Sequence, residues 1–545
     1  MVFEFLFSTS KTKASISHFI DFLEYHASKK NLKFAHRFDI FTNHNSYSFY
    51  LETQPQKALE FAEYIGARLP MSLYFNFVSL QTPQDISLKW QTNSEKIPSF
   101  PDAFEVGQML NKDSESFCSL NGWVKNIEFM GENITETKSL IDIFTRLALR
   151  LKNGESLRIK TSRGTKQFSF VKKSQNIMFW DLSNILTYTR IETSQSHLLA
   201  SYEKPLTKLC PKEVFASLLL KDQNPFEFNA TLPYDLVLSL LGLFALELEM
   251  GYVFFEDSSS KSFDLSYDHY HLPKACEITI SRDGLLIDRG ISKKSKNIFD
   301  LISKHFKEES LKDEKIHQKG TPIKNHQKLI VFLSKKHPTC FWIKDADSYK
   351  TALPICFETN PKLILEKIRN DYKDGQKLLK NYEEHFKDIL TRISSLSHQS
   401  LESSNMMDIF SSACFVLGYC SDFKLGDESI LNNAKKFVRD KGPRIDFKLI
   451  KEDEILKLDY PKVIRSSMSF RIAGLDEATL SYGFIDSIAE FLGNFVRDVS
   501  VNFNIKNVLL CGDMLGEKIF LDKILHYLPK NIDLILPKEG YIDYS

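Results

Sequence analysis

The chain has 545 residues, with 71 Lys+Arg against 70 Asp+Glu and a formal net charge of +1, which argues against a general nucleic-acid binder or a protein held electrostatically on an anionic membrane. Hydrophobic residues at 43% and charged residues at 26% are those of an ordinary globular chain. The length asks for about three domains rather than one core.

At the N-terminus, FEFLF predicts a strand and SISHFIDFLEYHA a helix with Phe19, Phe22, Leu23 and His26 on one face. SYSFYLET then predicts a strand, KALEFAEYIGARL a helix and SLYFNFVSL a last strand, so residues 1–85 read as a small α/β sandwich. Residues 86–130 are polar, with the proline punctuation of KIPSFPDAF, and read as a connector. Residues 131–296 return to α/β style. TETKSLIDIFTRLALRLKNG is an amphipathic helix stopping at Gly154, ESLRIKTS a strand, LPYDLVLSLLGLFALELE a helix, and CEITISRDGLLIDRG a hairpin about Asp283-Gly284. Residues 297–328, including KHFKEESLKDEKIHQKGTPIKNHQK, carry both charges and few large apolar residues, and read as a solvated linker.

Residues 329–545 form the last expected domain. KLIVFLS is a core strand, PKLILEKIRNDYKDGQKLLKNYEEHFKDILTRI a helix with a weak point at Gly375, and MMDIFSSACFVLGY a buried helix. FIDSIAEFLGNFVRDVSVNF leads into KNVLLCGDMLGEKIFLDKIL, where an apolar strand breaks at Gly512 before a helix. That strand, glycine turn and helix is the frame of a phosphate site, yet Asp513 places a carboxylate in it. Asp513 reads as a cap for the helix, accepting N–H bonds near Leu515 and Gly516.

Other candidates are dispersed. Lys160, Arg163 and Gly164 follow a strand and make an anion-binding set, although a basic strand end is often merely solvated. His269 and His271 alternate along SYDHYHLP and could share a metal, but no third ligand is nearby, which favours a structural or surface role. Asp408 and Ser411 read as one helix face turned to water. The eight cysteines, at 118, 210, 276, 340, 356, 414, 420 and 511, form no C-x-x-C pair, so neither zinc nor a disulfide framework is expected. The longest apolar stretch, Leu236 to Leu246, is about half a membrane span, and the first residues carry Glu4 without a signal-peptide pattern. A reduced, cytoplasmic chain without a membrane span is expected.

Taken in order, these stretches resemble the HypF family, the carbamoyltransferases of nickel–iron hydrogenase maturation. QKALEFAEYIGARLPMSLYFNFVSL is similar to part of the family's acylphosphatase-like domain, and SLIDIFTRLALRLKNGESLRIKTSRGT to the opening of its YrdC-like domain. LLASYEKPLTKL and LPYDLVLSLLG resemble that domain's Arg-Pro-Ile-Val and Leu-Pro-Tyr-Thr-Pro-Leu segments. MMDIFSSACFVLGYCSDFKL and NVLLCGDMLGEKIFLDKIL resemble the Gly-Arg-Leu-Phe-Asp-Ala helix and the Ser-Gly-Gly-Val-Phe-Gln-Asn motif of its ASKHA-type transfer domain. The resemblance implies a mixed α/β multidomain chain with an acylphosphatase-like sandwich, a YrdC-like domain and a shortened ASKHA-type domain.

The departures fall on chemistry. Asn43 lies near the acylphosphatase Asn, but the loop STSKTK offers Lys11 and Lys13 and no Arg. The connector holds only Cys118 in place of two zinc modules, and the His-rich metal motif is absent. Lys160 matches a family lysine, while FFEDSSS puts Glu256 and Asp257 where an ATP loop would be. Met407 and Ser411 replace a Gly and an Asp, and Asp513 replaces the second Gly of the last motif. Lys160, Arg163, Gly164 and Gly512 are thus the candidate nucleotide- or phosphate-binding residues, and Asn43 is the one candidate catalytic residue. No resident metal or cofactor is expected, with ATP and Mg²⁺ left open. The reading favours a non-catalytic accessory protein of the HydE type that binds a hydrogenase subunit or maturation factor. The alternative is an active carbamoyl-adenylate-forming carbamoyltransferase with altered motifs.

Overall fold

The computed structural model describes residues 1–40, 45–83, 87–110, 123–134, 138–172, 174–219, 227–269, 274–289, 298–300, 302–303, 327–345, 348–422, 426–439, 441–452 and 454–537. Two compact units divide the chain between Ile278 and Thr279.

The first unit opens with β1 (Val2–Thr9), α1 (Ser17–Lys29), β2 (Lys33–Ile40), β3 (Asn45–Glu52), α2 (Pro55–Gly66) and β4 (Phe75–Gln81). The strands pair in the order β2-β3-β1-β4, all antiparallel, a split βαββαβ sandwich. The expected helix face is buried: Phe19, Phe22 and Leu23 meet Phe5 and Phe7 of β1 and Phe49 of β3. The Phe75 ring stacks on Phe7 at 4.5 Å and on Phe19 at 4.9 Å, distances at which aromatic pairs add to simple area burial. The sequence reading omits β2. Lys33, His36, Arg37 and Asp39 break the alternation of that run, and its full-length pairing with β3 makes it a strand.

The stretch read as a connector contributes α3 (Ala103–Met109), whose Asp102 and Glu105 cap it reciprocally, and β5 (Val124–Phe129), a strand of the next sheet. That sheet adds β6 (Glu132–Asn133), β7 (Ser156–Thr161), β8 (Gly164–Ser169), β9 (Asn176–Phe179), β10 (Leu206–Leu209), β11 (Phe228–Thr231), β12 (Tyr252–Asp257), β13 (Leu265–His269) and β14 (Glu277–Ile280). Its order is β14-β10-β11-β9-β12-β8-β7-β13-β5-β6. Two helices, α4 (Lys138–Lys152) and α5 (Leu236–Glu247), pack together, with Phe144, Leu147 and Leu151 sharing one core with Leu238, Leu241 and Ala245. α4 ends just before Gly154, as its pattern predicts.

In the second unit, the turn from Ser281 to Leu285 is closed by the Gly284 N–H on the Ser281 carbonyl at 3.0 Å and leads into β15 (Leu286–Asp288), placing the turn where Asp283-Gly284 predicts it. The segment 297–328 lies almost wholly outside the described residues. The central sheet joins β16 (Lys328–Phe332), β17 (Cys340–Asp345) and β18 (Ser348–Thr351) to two later strands, and β19 (Phe357–Glu358) pairs separately with β20 (Glu402–Ser403). The long helical run breaks into α6 (Pro361–Asp371) and α7 (Gly375–Ser394) at the expected weak point, where Asp374 takes φ +64°. Next come α8 (Asp408–Leu417), α9 (Gly426–Ala434), the hairpin of β21 (Leu449–Glu452) and β22 (Ile455–Leu458), α10 (Tyr460–Ile472) and α11 (Glu477–Phe503). β23 (Asn507–Cys511), a 3-10 turn over Asp513–Gly516, α12 (Lys518–Tyr527) and β24 (Asp533–Ile535) finish the described chain. The sheet order is β18-β17-β16-β23-β24, with β16, β23 and β24 parallel.

One expectation is corrected here. Asp408 and Ser411 do not mark a water-facing side of α8: every residue from Ile409 to Leu417 is buried, and the Asp408 carboxylate takes the Ser403 hydroxyl at 2.5 Å. The core of this unit closes around the helix on all sides, and burial pushes the Asp408 pKa up. Among the described residues, no helix is long and apolar enough to cross a membrane.

Candidate functional site

The first candidate site is the turn between β7 and β8. Thr161 pairs with Gly164, so Ser162 and Arg163 are the two turn residues, and Gly164 takes φ +91°. The Thr161 hydroxyl donates to the Gly164 carbonyl at 2.8 Å, and the Tyr234 hydroxyl lies 3.0 Å from it. Arg163 is turned inward. Its guanidinium donates to the carbonyls of Lys204 at 2.9 Å and Glu203 at 2.6 Å and lies 4.3 Å over the Tyr234 ring. Burial lowers its pKa, so its charge is held by carbonyls and an aromatic face. Lys160, just before the turn, has a side chain about half exposed and its ammonium 3.6 Å from Asp268. The two cations of the expected anion-binding set therefore have different partners.

Behind the turn, Asp235 caps α5 by accepting from the Leu238 N–H at 2.9 Å, and also accepts from the Ser162 hydroxyl at 3.0 Å and the Tyr267 hydroxyl at 2.9 Å. One buried carboxylate thus locks the turn to a helix start. Glu203, also buried, accepts from the Ser72 hydroxyl at 2.5 Å and the Leu73 N–H at 2.9 Å. Lys204 donates to the Ala200 carbonyl at 2.5 Å, and burial drops its pKa to about 8. His269 ends β13 with a pKa lowered by burial, while His271 lies outside the described residues. Glu256 pairs with Lys172, and Asp257 with Lys166 directly across β12 and β8, so both acids have cations of this chain as partners. Asn43 lies outside the described residues. In the loop after β1 the Lys11 ammonium sits 3.9 Å over the Tyr74 ring and that of Lys13 lies 3.4 Å from His36 Nε2.

The second candidate site is at the carboxyl ends of the parallel strands β16 and β23, where ligands of open α/β sheets are commonly held. Gly512 takes φ +102° there, and a Cβ on it would fall 2.0 Å from the Leu333 carbonyl oxygen. Only glycine lets the two segments come this close. The approach is fixed by the Leu333 N–H on the Cys511 carbonyl at 3.0 Å and the Met514 N–H on the Leu333 carbonyl at 3.2 Å. Asp513 then crosses to the segment that follows β16: its carboxylate accepts from the Lys335 N–H at 2.8 Å. This corrects the expected helix cap. The turn at Asp513 carries no side-chain cap bond and α12 does not begin until Lys518, so the carboxylate ties two strand ends together instead.

Glu517 completes the knot. It is 3% exposed and ion-paired with Lys335 and, at 2.8 Å, with Lys435, whose side chain is 8% exposed just beyond the end of α9. The Lys335 loop is held from below by the Asn405 carboxamide on the Lys335 carbonyl at 3.1 Å and by the Thr339 N–H on the Ser404 carbonyl at 2.9 Å. One backbone N–H and two ammonium groups, the donors that a phosphate would attract, thus converge on two carboxylates of the chain itself. The sequence reading misses Lys335, Lys435 and Glu517. The signal for the first was present: Ser334-Lys335-Lys336 follows a core strand just as Lys160 and Arg163 do.

These two sites sit in a recognisable frame. The chain is similar along its whole length to the crystal structure of full-length HypF in the phosphate- and nucleotide-bound form, with a TM-score of 0.57 and 12% identity over 99% of this chain and 96% of that one. It is likewise similar to the structure of HypF from T. kodakarensis, with a TM-score of 0.58 and 11% identity over 98% and 96%. The class is therefore a protein of HypF fold, with an acylphosphatase-like sandwich, a YrdC-like domain and an ASKHA-type C-terminal domain. No protein-family model matches the chain. Protein HydE of Wolinella succinogenes is 30% identical to it over 540 residues, 95% of each chain, and the chain belongs to the HydE family.

Proposed function

We propose that this chain serves nickel–iron hydrogenase maturation in the cytoplasm as a non-catalytic protein of HypF fold, binding a hydrogenase subunit or a maturation factor. The observation that carries the reading is the knot at the β16 and β23 ends. Asp513 occupies the Lys335 N–H and Glu517 neutralises Lys335 and Lys435, so an incoming phosphate would meet two carboxylates and find its donors taken. Two anions at contact distance repel by several kcal/mol at an effective dielectric of about 20. Arg163 and the pairs Glu256 with Lys172 and Asp257 with Lys166 repeat the pattern in the YrdC-like domain.

A second reading, an active carbamoyl-adenylate-forming carbamoyltransferase, is favoured by Lys160, whose side chain is half exposed and whose partner Asp268 is itself exposed, so that the ammonium could turn to a phosphate. One experiment separates them. Loss of the gene should reduce hydrogenase activity and large-subunit processing, and a Lys160→Ala copy should restore both as well as the unaltered copy does. Purified protein given ATP and carbamoyl phosphate should release no more pyrophosphate than Lys160→Ala. Pyrophosphate release together with failure of Lys160→Ala to complement would select the enzyme.

A further inference from the structure

The sheet of the N-terminal sandwich ends on one side in β2 and on the other in β4. The β2 edge is guarded. Lys33, Arg37 and Asp39 charge it, and Gln91 covers it: the Phe34 N–H donates to the Gln91 carbonyl at 2.9 Å and the Gln91 N–H to the Phe34 carbonyl at 2.8 Å. β4 reads FNFVSLQ, with neither a charge nor a proline, and among the described residues it pairs with β1 alone. An edge strand turns the N–H and C=O groups of alternate residues outward, and charges, prolines and covering segments are what keep such a row from pairing with another chain.

The side chains along β4 are apolar and open. Phe75 is buried, but Phe77 and Val78 are each 55% exposed. Two consecutive apolar residues are uncovered because the register against β1 shifts here: Leu6 faces Ser79 and Phe7 faces Phe77, which leaves Val78 as the extra residue of a bulge. A bulge can blunt an edge by twisting it away, yet this one leaves its extra residue apolar and bare. The Phe77 ring keeps an edge contact with the Phe7 ring at 5.6 Å, so the sandwich core holds it in place. In the second unit the edges of the central sheet are shorter and charged: β18 has four residues with Lys350, and β24 three with Asp533.

The charges about β4 select its occupant. At one end the Lys11 ammonium lies 3.9 Å over the ring of Tyr74, the residue before the strand, and at the other Glu4 accepts from the Gln81 carboxamide at 2.8 Å. In an antiparallel pair related by a two-fold axis, the Lys11 end of one strand lies beside the Glu4 end of the other. The uncharged middle then sets Phe77 and Val78 against the same residues of the second copy, with no like charges opposed. The strand that complements β4 in sign and in apolar character is β4 itself. We infer that two copies of this chain associate through antiparallel pairing of their β4 edges, joining two four-stranded sheets into one continuous sheet. A seven-residue edge buries less than the about 1,200 Å² of a stable complex, so the pair forms and parts with concentration.

The test uses the full chain. Sedimentation equilibrium from about 1 to 200 µM should show a reversible exchange of monomer and dimer. Val78→Lys, an exposed change that puts a charge on the edge, should weaken the association by more than about tenfold. Val171→Lys, equally apolar and 62% exposed but in the next domain, should leave it unchanged. Hydrogen exchange on the unaltered chain locates the contact without any substitution: the amides of residues 76–80 should gain protection as concentration rises. A monomer at every concentration, a Val78→Lys protein that dimerises as the unaltered chain does, or a dimer without added protection in β4 would overturn the inference. Protection of β4 that appears only when a hydrogenase subunit is added would also overturn it, and would assign the edge to a strand of that partner.

Discussion

Replacing Glu517 by Gln keeps the side chain's shape and removes its charge, leaving the ammonium groups of Lys335 and Lys435 facing an amide. The carboxylate is 3% exposed, and the Lys435 and Lys335 side chains are 8% and 24% exposed. Removing one member of a buried ion pair costs about 3–5 kcal/mol, because the remaining charge is left without compensation. Lys335 can turn its ammonium to water along its flexible stem, which reduces the figure to about 2–4 kcal/mol. For a unit of this size that lowers the melting temperature by about 5–10 °C. The informative step is to repeat the melt in inorganic phosphate. If Glu517 holds the place of an anion, phosphate should restore part of the loss in Glu517→Gln, by about 2.7 kcal/mol at one hundred times its dissociation constant, and should leave the unaltered chain unmoved. Differential scanning calorimetry across a phosphate series reads both. A Glu517→Gln protein melting within a degree of the unaltered chain, or an equal phosphate response in the two proteins, would refute the reasoning.

Two further expectations concern other parts of the molecule. Gly512→Ala should destabilise by about 3–5 kcal/mol, since the methyl meets the Leu333 carbonyl oxygen at 2.0 Å in a left-handed conformation and must part strands joined by two hydrogen bonds. Hydrogen exchange should show the Leu333 and Met514 amides losing protection first, and unchanged protection would contradict this. Burial holds the His26 imidazole, bonded to the Tyr64 hydroxyl at 3.2 Å, down to a pKa of about 4. The unfolded chain then binds the proton that the folded chain refuses, so stability is full above about pH 6.5 and is lost as pH falls towards 4, on the order of 3 kcal/mol. Melting curves over that window should be steeper in pH for the unaltered chain than for His26→Gln, and equal slopes would exclude the histidine as the cause.

The sequence by itself determined the elements whose causes are local. The burial of Phe19, Phe22, Leu23 and His26, the stop of α4 at Gly154, the break before Gly375 and the strand, turn and helix from Asn507 to Tyr527 are written in the spacing of neighbouring residues, because helix and strand periods repeat within a few positions. The order of weak segments along the chain also pointed to the HypF fold. Where each polar group is used was decided only by the tertiary structure. Asp513 looks like a helix cap from its neighbours, but its partner is Lys335, 178 residues away. Glu517 and Lys335 are separated by 182 residues. β2 shows the same limit, since pairing with β3 overrides a side-chain pattern that reads as no strand. Periodicity is a property of one segment against the average interior, whereas a hydrogen bond or ion pair requires two particular groups brought within about 3 Å, and that distance exists only after distant strands have paired.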